Sequence, residues 1–320
     1  MVKKKRSPFI FLISLCISLT IASLHAESVA ELQPLAKKTL LLDIVNQAGL
    51  NVAVGARGHI LYTDNGDWQQ ANVPAQELLS AVFMLDEKTG WAVGHHNIIL
   101  KTIDGAKNWN RQYFTADDEA PLLDIYFFDE SNGIAIGAYG LLLRTTDGGN
   151  NWQEDYLQHP SGFDPHLNAI TSSPAGILFI VGESGSIFRS NDNGESWQSI
   201  DSPYHGSLFG ALSISEQSII IFGLQGQLFK SMDAGETWDK IETPNTVLLT
   251  DALLVNQNKV LLTGLAGTLL ITDENLTSIN IHQLAGRTGI SAVIQDAEQL
   301  WLVGEKGLQQ VELRSLFTPN

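Results

Sequence analysis

Cysteine is all but missing from these 320 residues, and the one thiol, Cys16, lies in an apolar stretch near the amino terminus. Beyond that stretch the chain can have no disulfide framework, no thiol nucleophile and no cysteine metal site. Positive charge is scarce too, with 19 Lys and Arg against 35 Asp and Glu and a formal net charge of −16. A chain this acidic is a poor partner for nucleic acid or anionic lipid. Amphipathic helical periodicity is also lacking after the first 26 residues, so an α/β reading finds no crossover helices. Long apolar runs are confined to residues 9–22, which is short for a membrane span.

That apolar run follows Lys3-Lys4-Lys5-Arg6 and leads into Ser23-Leu24-His25-Ala26. A charged head, a short apolar core and a small residue at the end form a secretory signal peptide, so residues 1–26 are expected to be removed on export. Leu24 is larger than the residue usually preferred three positions before the cut, which leaves the cleavage point open by a few residues. No arginine pair calls for export in the folded state, and Leu15 ahead of Cys16 is too large for a lipid-attachment signal. Removal takes four cations and no acids, leaving residues 27–320 with a formal charge of −20.

What is abundant is a repeat. An apolar strand ending in Gly, with Gly or Asn three residues later, recurs at Gly55/Gly58, Gly94/Asn97, Gly137/Gly140, Gly182/Gly185, Gly223/Gly226, Gly264/Gly267 and Gly304/Gly307. Successive first glycines are 39, 43, 45, 41, 41 and 40 residues apart. Seven units of this period predict an all-β fold, a seven-bladed β-propeller with four-stranded blades, because each sheet needs neighbours on both faces. In the fourth unit the strands are expected near residues 167–172, 177–181, 186–190 and 197–200.

Later in each unit comes a box of hydroxyl, Asp, Gly and Trp: Thr145, Asp147, Gly149 and Trp152; Ser190, Asp192, Gly194 and Trp197; Ser231, Asp233, Gly235 and Trp238. A short carboxylate can accept hydrogen bonds from its own turn, Gly can take positive φ, and Trp opens the next strand with a large apolar surface. These aspartates are therefore read as turn locks. The first box is one residue short (Thr63 to Trp68), the second has Ala106 at the Gly position, and the sixth and seventh units are read as having lost it. The seventh unit stops soon after its third strand. Residues 29–35, Val29-Ala30-Glu31-Leu32-Gln33-Pro34-Leu35, are expected to supply its fourth strand and so close the ring.

The boxes are those of the BNR or Asp-box propellers, which include sialidases. The longer unit, apolar-Gly-x-x-Gly-x-Ile/Leu-Phe/Leu-Arg/Lys-Ser/Thr-x-Asp-x-Gly-x-x-Trp, resembles the photosystem II stability/assembly factor family of seven-bladed propellers, over nearly all of residues 27–320. The resemblance implies an exported, non-enzymatic factor that holds a membrane-protein complex or its assembly intermediate. No cofactor, no metal and no nucleic acid is expected, and the chain is expected to act as a monomer. The compartment would be the periplasm, or the thylakoid lumen in a photosynthetic source. Lipid-anchored cyanobacterial members carry a lipid-attachment signal that is absent here.

A sialidase-like or other glycan-acting propeller is the rival reading. Its chemistry needs an arginine cluster for the substrate carboxylate, with a Tyr–Glu nucleophile pair and an Asp acid. After residue 26 the arginines are Arg57, Arg111, Arg144, Arg189, Arg287 and Arg314, too few at inner positions for such a triad. No catalytic residue is assigned. His95, His96, His159, Asp164, His166 and His205 fall on loops expected to share one face, but adjacent histidines on a turn point different ways and no metal site is assigned. The candidate partner-binding residues are Lys101, Arg144, Arg189 and Lys230, all seven positions after the first glycine of their units, and Tyr139 and Tyr204 on the opposite loops. The acidic loop Asp117-Asp118-Glu119 is expected beside the two tyrosines.

Overall fold

A computed structural model describes residues 29–115, 120–256 and 258–316. The amino-terminal leader and the acidic loop Asp117-Asp118-Glu119 lie outside the described residues. Among the described residues, seven antiparallel sheets follow one another, six of four strands and one of three. Blade 1 comprises Leu41–Gln47, Leu50–Gly55, Ile60–Asp64 and Asp67–Gln70, and blade 7 ends the ring with Ile290–Asp296, Gln299–Gly304 and Gln309–Glu312. The strands of blade 4, Leu167–Ser172, Leu178–Gly182, Ile187–Ser190 and Gln198–Ser199, fall within two residues of their expected places. Among the described residues there is no α-helix, only 3-10 turns.

The repeated glycines have two separate causes. Gly182 ends the second strand of blade 4 in ordinary extended backbone, but a Cβ there would lie 2.2 Å from the carbonyl oxygen of His166, just ahead of the inner strand. Gly185 has φ +75°, and its Cβ would meet the Tyr204 carbonyl oxygen at 1.9 Å. The first glycine is therefore demanded by close approach and the second by approach and a left-handed turn. Both demands recur because all seven sheets fold back at the same place.

The core is a ring of blade-to-blade interfaces. The fully buried second strands, such as Ile134, Ala135 and Ile136 in blade 3, read as continuous apolar runs because both of their faces meet a neighbouring sheet. The box tryptophan fills the outer part of each boundary: Trp109 between blades 1 and 2, Trp152 between 2 and 3, Trp197 between 3 and 4, Trp238 between 4 and 5. Leu276 takes that place between blades 5 and 6. Between blades 6 and 7 it is taken by Leu313 and Leu316 of the carboxy-terminal turn Leu313–Leu316.

Ring closure differs from the expectation. Residues 29–35 form no strand and do not pair with blade 7, whose sheet has three strands. They lie along blade 1 instead: the Ala30 amide donates to the Val73 carbonyl (2.9 Å), the Gln33 amide to Gln70 Oε1 (2.8 Å), and Gln70 Nε2 to the Glu31 carbonyl (2.9 Å). Pro34 cannot donate to a ladder, and Leu32 is 73% exposed, so the apolar residues of this segment do not form an inward face. Closure comes from face-to-face packing of Leu41, Ile44, Ala53 and Trp68 on Ala292, Ile294 and Val303. Asn51 Nδ2, donating to Asp296 Oδ2 at 2.7 Å, adds a polar tie at the same boundary.

Candidate functional site

The two ends of the ring differ in chemistry, and the boxes define one of them. In blade 4, Ser190 Oγ donates to Asp192 Oδ1 (2.7 Å) and accepts from the Gly194 amide (2.8 Å). The Ser196 amide and hydroxyl close on the two oxygens of Asp192 at 2.9 and 2.6 Å. Blade 5 repeats the set with Ser231, Asp233, Gly235 and Thr237, and blade 3 with Thr145, Asp147, Gly149 and Asn151. The hydrogen bonds from Ser196 hold the Asp192 carboxyl down at about 2, and those from Thr237 do the same for Asp233. Every one of these aspartates is occupied by its own turn. Stability from Asp192 and Asp233 is thus present above the ordinary value near 4 and lost as pH falls toward 2. Ser190→Ala, which strands the buried Gly194 amide, is expected to cost about 1–3 kcal/mol in chemical denaturation.

Two degenerate boxes are better kept than their sequence suggests. Ala106 takes φ +64° where other boxes have Gly, and its amide still donates to Thr102 Oγ1 at 3.2 Å. In the sixth unit, expected to have lost the box, Asp273 still accepts from the Asn275 amide (2.8 Å) and pairs with the Thr277 hydroxyl, with Leu276 at φ +61°. The hydroxyl half is gone there: Thr272 Oγ1 is buried without a partner among the described residues.

Lys101, Arg144, Arg189 and Lys230 occupy equivalent places on the third strands of blades 2, 3, 4 and 5, and each head reaches into the next blade. Lys101 Nζ donates to the Gly148 carbonyl at 2.9 Å, and Arg144 to the Gly194 carbonyl. Arg189 donates to the Ala234 carbonyl at 2.9 Å, and Lys230 to the Glu274 carbonyl at 3.0 Å. Glu195 and Glu236 flank the two arginines at 3.6 and 2.7 Å. The Arg189 side chain is only 10% exposed and Lys230 only 8%. These cations tie consecutive blades at the boundaries 2/3, 3/4, 4/5 and 5/6, each holding the box turn of its neighbour.

The opposite end carries the Gly-x-x-Gly hairpins. At the same position of successive hairpins, Arg57, His96, Tyr139, Ser184, Gln225 and Ala266 all have φ between 54° and 60°. A left-handed backbone at non-glycine residues costs free energy and turns these side chains away from the sheet. Tyr139 is 62% exposed, and its ring meets His166 edge-on at 5.0 Å. His159 packs on Phe163 at 4.7 Å and His96 lies near Phe114 at 6.0 Å, so these two histidines, like His166, lie against aromatic rings. Tyr204 behaves differently: its ring packs toward Phe229 at 6.0 Å in the boundary between blades 4 and 5. The two candidate tyrosines are thus separated into one surface residue and one packing residue. Among the described residues, no three His, Cys, Asp or Glu side chains converge on a point that could hold a metal ion.

The central channel holds a feature the repeat reading missed. Each inner strand has a bulge near its start, and after it stand Asp43 in blade 1, Asp124 in blade 3 and Asp251 in blade 6. One oxygen of each accepts from the following amide, and the other from the next blade: Val82 (2.8 Å), Ile170 (2.9 Å) and Val293 (2.8 Å). The bulge residue ties too: Asn168 Nδ2 donates to the Leu208 carbonyl (2.7 Å) at the boundary between blades 4 and 5, and Thr250 Oγ1 donates to the Ile290 carbonyl (2.8 Å) beside Asp251 at the boundary between blades 6 and 7. The three carboxylates line a channel cavity of about 240 Å³. Their signal was present in the sequence as apolar-x-Asp opening three inner strands.

Residues 116–239 match the family described as photosynthesis system II assembly factor YCF48. This is the stretch that holds the three complete boxes, and the resemblance read from the sequence holds there. A comparison with curated proteins finds no match. Among solved structures, the fold is similar to YCF48 bound to D1 peptide, with TM-score 0.71 at 18% identity over 89% of this chain and 96% of that one. It is also similar to YCF48 from Cyanidioschyzon merolae, with TM-score 0.71 at 14% identity over 89% and 99% of the two chains. Virginiamycin B lyase from Staphylococcus aureus shares the architecture with TM-score 0.73 at 14% identity over 88% and 97%. Such low identities speak for the fold alone.

Proposed function

We propose that this chain is an exported assembly factor that binds a segment of a membrane-protein subunit on its hairpin face, with no chemistry of its own. The observation that carries this reading is the match of residues 116–239 to a photosystem II assembly-factor family, on a ring whose box aspartates are all hydrogen-bonded within their turns. A structural neighbour holds a D1 peptide, which favours a peptide segment as the bound element. A lyase shares the architecture, so the fold by itself does not decide between binding and catalysis.

The hairpin face is favoured over the cation row because Lys101, Arg144, Arg189 and Lys230 are already engaged by backbone carbonyls. Tyr139 is a rigid, exposed aromatic with a polar tip, backed by His166, and aromatics of that kind dominate binding energies at protein interfaces. Export would follow removal of residues 1–26, giving a mature protein that begins near Glu27 and acts as a monomer in the periplasm or lumen.

The test is capture from detergent-solubilised membranes of the source, followed by a binding titration with the captured subunit. Tyr139→Ala is expected to raise the Kd at least about tenfold, the value of roughly 1.4 kcal/mol, with an unchanged melting curve. Capture of no membrane protein would sink the reading. Hydrolysis of sialosides or aryl glycosides, abolished by a substitution in the ring, would replace it with the enzymatic one.

A further inference from the structure

We propose that Asp43, Asp124 and Asp251 form a proton-controlled clasp across three blade boundaries at the centre of the ring, in which their confined like charge makes the folded ring less stable at alkaline pH than in mild acid. The geometry is the same three times. A bulge aims each carboxylate at the amide of the following blade, so that one side chain spans the boundaries 1/2, 3/4 and 6/7 at 2.8–2.9 Å. Blades 5 and 7 have Gly210 and Ala292 at this position, and blades 2 and 4 have Ala81 and Ala169.

Among the described residues, no charged side chain of opposite sign lines the channel. The inner strands of blades 2, 4, 5 and 7 contribute Ser80, Asn168, Phe209 and Ser291 there, and the channel lining includes no Lys, Arg, His, Glu or Tyr. The aspartates therefore see one another and four backbone strands without titratable groups. Burial in the channel pushes Asp43 up to about 6, against the pull of the Val82 and Ile44 amides. Burial likewise pushes Asp124 and Asp251 up to about 7, and the Asp43 charge adds to it in both cases.

The sign follows from proton binding. An unfolded chain releases these protons near the ordinary value of 3.8, whereas the folded ring keeps them until pH 6–7. Through that window the folded state holds more protons, so stability falls as pH rises; it is greatest below about 4 and its loss is complete above about 7. Each group that stays protonated only in the folded state changes the folding constant about tenfold per pH unit. The turn aspartates work in the opposite sense, but only below about pH 4, so the two effects do not overlap.

Equilibrium denaturation of the full chain between pH 5 and pH 8 tests the clasp. The folding constant is expected to rise at least about tenfold from pH 8 to pH 5. Asp124→Asn and Asp251→Asn should each flatten that slope, whereas Ser80→Ala, which removes a tie that does not titrate, the Ser80 hydroxyl donating to the Leu122 carbonyl of blade 3, should leave it unchanged. If the Asn variants do not fold, carboxyl carbon-13 titration of the unaltered protein labelled at aspartate should show three midpoints near 6–7. Stability that is flat or falls on acidification from pH 8 to pH 5, Asn variants with the full slope, or aspartates that all titrate below 5 would overturn the proposal.

Discussion

Trp91→Ala is expected to remove about 3–5 kcal/mol of stability, enough to bring a ring of this kind close to unfolding at ambient temperature. Trp91 lies in the second strand of blade 2 with no exposed surface. Its ring stacks on Phe127 of blade 3 at 3.5 Å with planes 7° apart, and its Nε1 donates to the Gly148 carbonyl at 3.4 Å. Lys101 lies 5.0 Å from the ring centroid while donating to that same carbonyl. One indole thus joins two sheets, supports the Lys101 tie and covers the back of the third box. Alanine leaves a cavity bounded by second strands that cannot collapse inward, since each is held by a sheet on both sides. Trp91→Phe keeps the stack and loses the hydrogen bond, so it should be the milder change. Guanidinium denaturation followed by near-ultraviolet dichroism separates the two, and a loss below about 1 kcal/mol for Trp91→Ala would mean the boundary repacks.

How much of this was legible in the sequence depends on whether a local rule or a long-range contact governs the residue. The hairpins were legible because the close approach at Gly182 and the left-handed turn at Gly185 admit only glycine, or at a cost a few other residues. The boxes were legible because Ser190, Asp192 and Ser196 satisfy one another within seven residues. The expected fourth strand of blade 7 failed at the same test. An apolar segment with the right length was read as a strand, but Pro34 breaks the ladder and Gln70, 37 residues from Gln33, captures the segment for blade 1. The channel aspartates were overlooked for a related reason. Asp43 at a strand start looks like an ordinary solvated residue until the bulge and the next blade's Val82 amide, 39 residues away, are seen together. The cation row was found by its period, yet its direction depends on carbonyls 44–50 residues on, which no local pattern reports.

The direction of that row leads to a second large effect. Arg144→Glu combined with Arg189→Glu is expected to destabilise the ring strongly while leaving the affinity of the folded fraction for its client unchanged. Each substitution strands a box carbonyl, Gly194 in one case and Ala234 in the other, at a cost of about 1–3 kcal/mol apiece. Each also sets a new carboxylate against Glu195 or Glu236. The two sites lie at successive boundaries and share no partner, so their costs should nearly add. Salt separates the two contributions. Repulsion between carboxylates that face solvent is screened at 1 M, where the Debye length is about 3 Å, but a stranded carbonyl is not relieved. Most of the loss should therefore persist at high salt, and Arg189→Met, which keeps the apolar stem without the guanidinium, should show the same salt-independent part. A double variant that keeps its melting temperature but no longer binds the client would return the cation row to the binding face and displace Tyr139 from it.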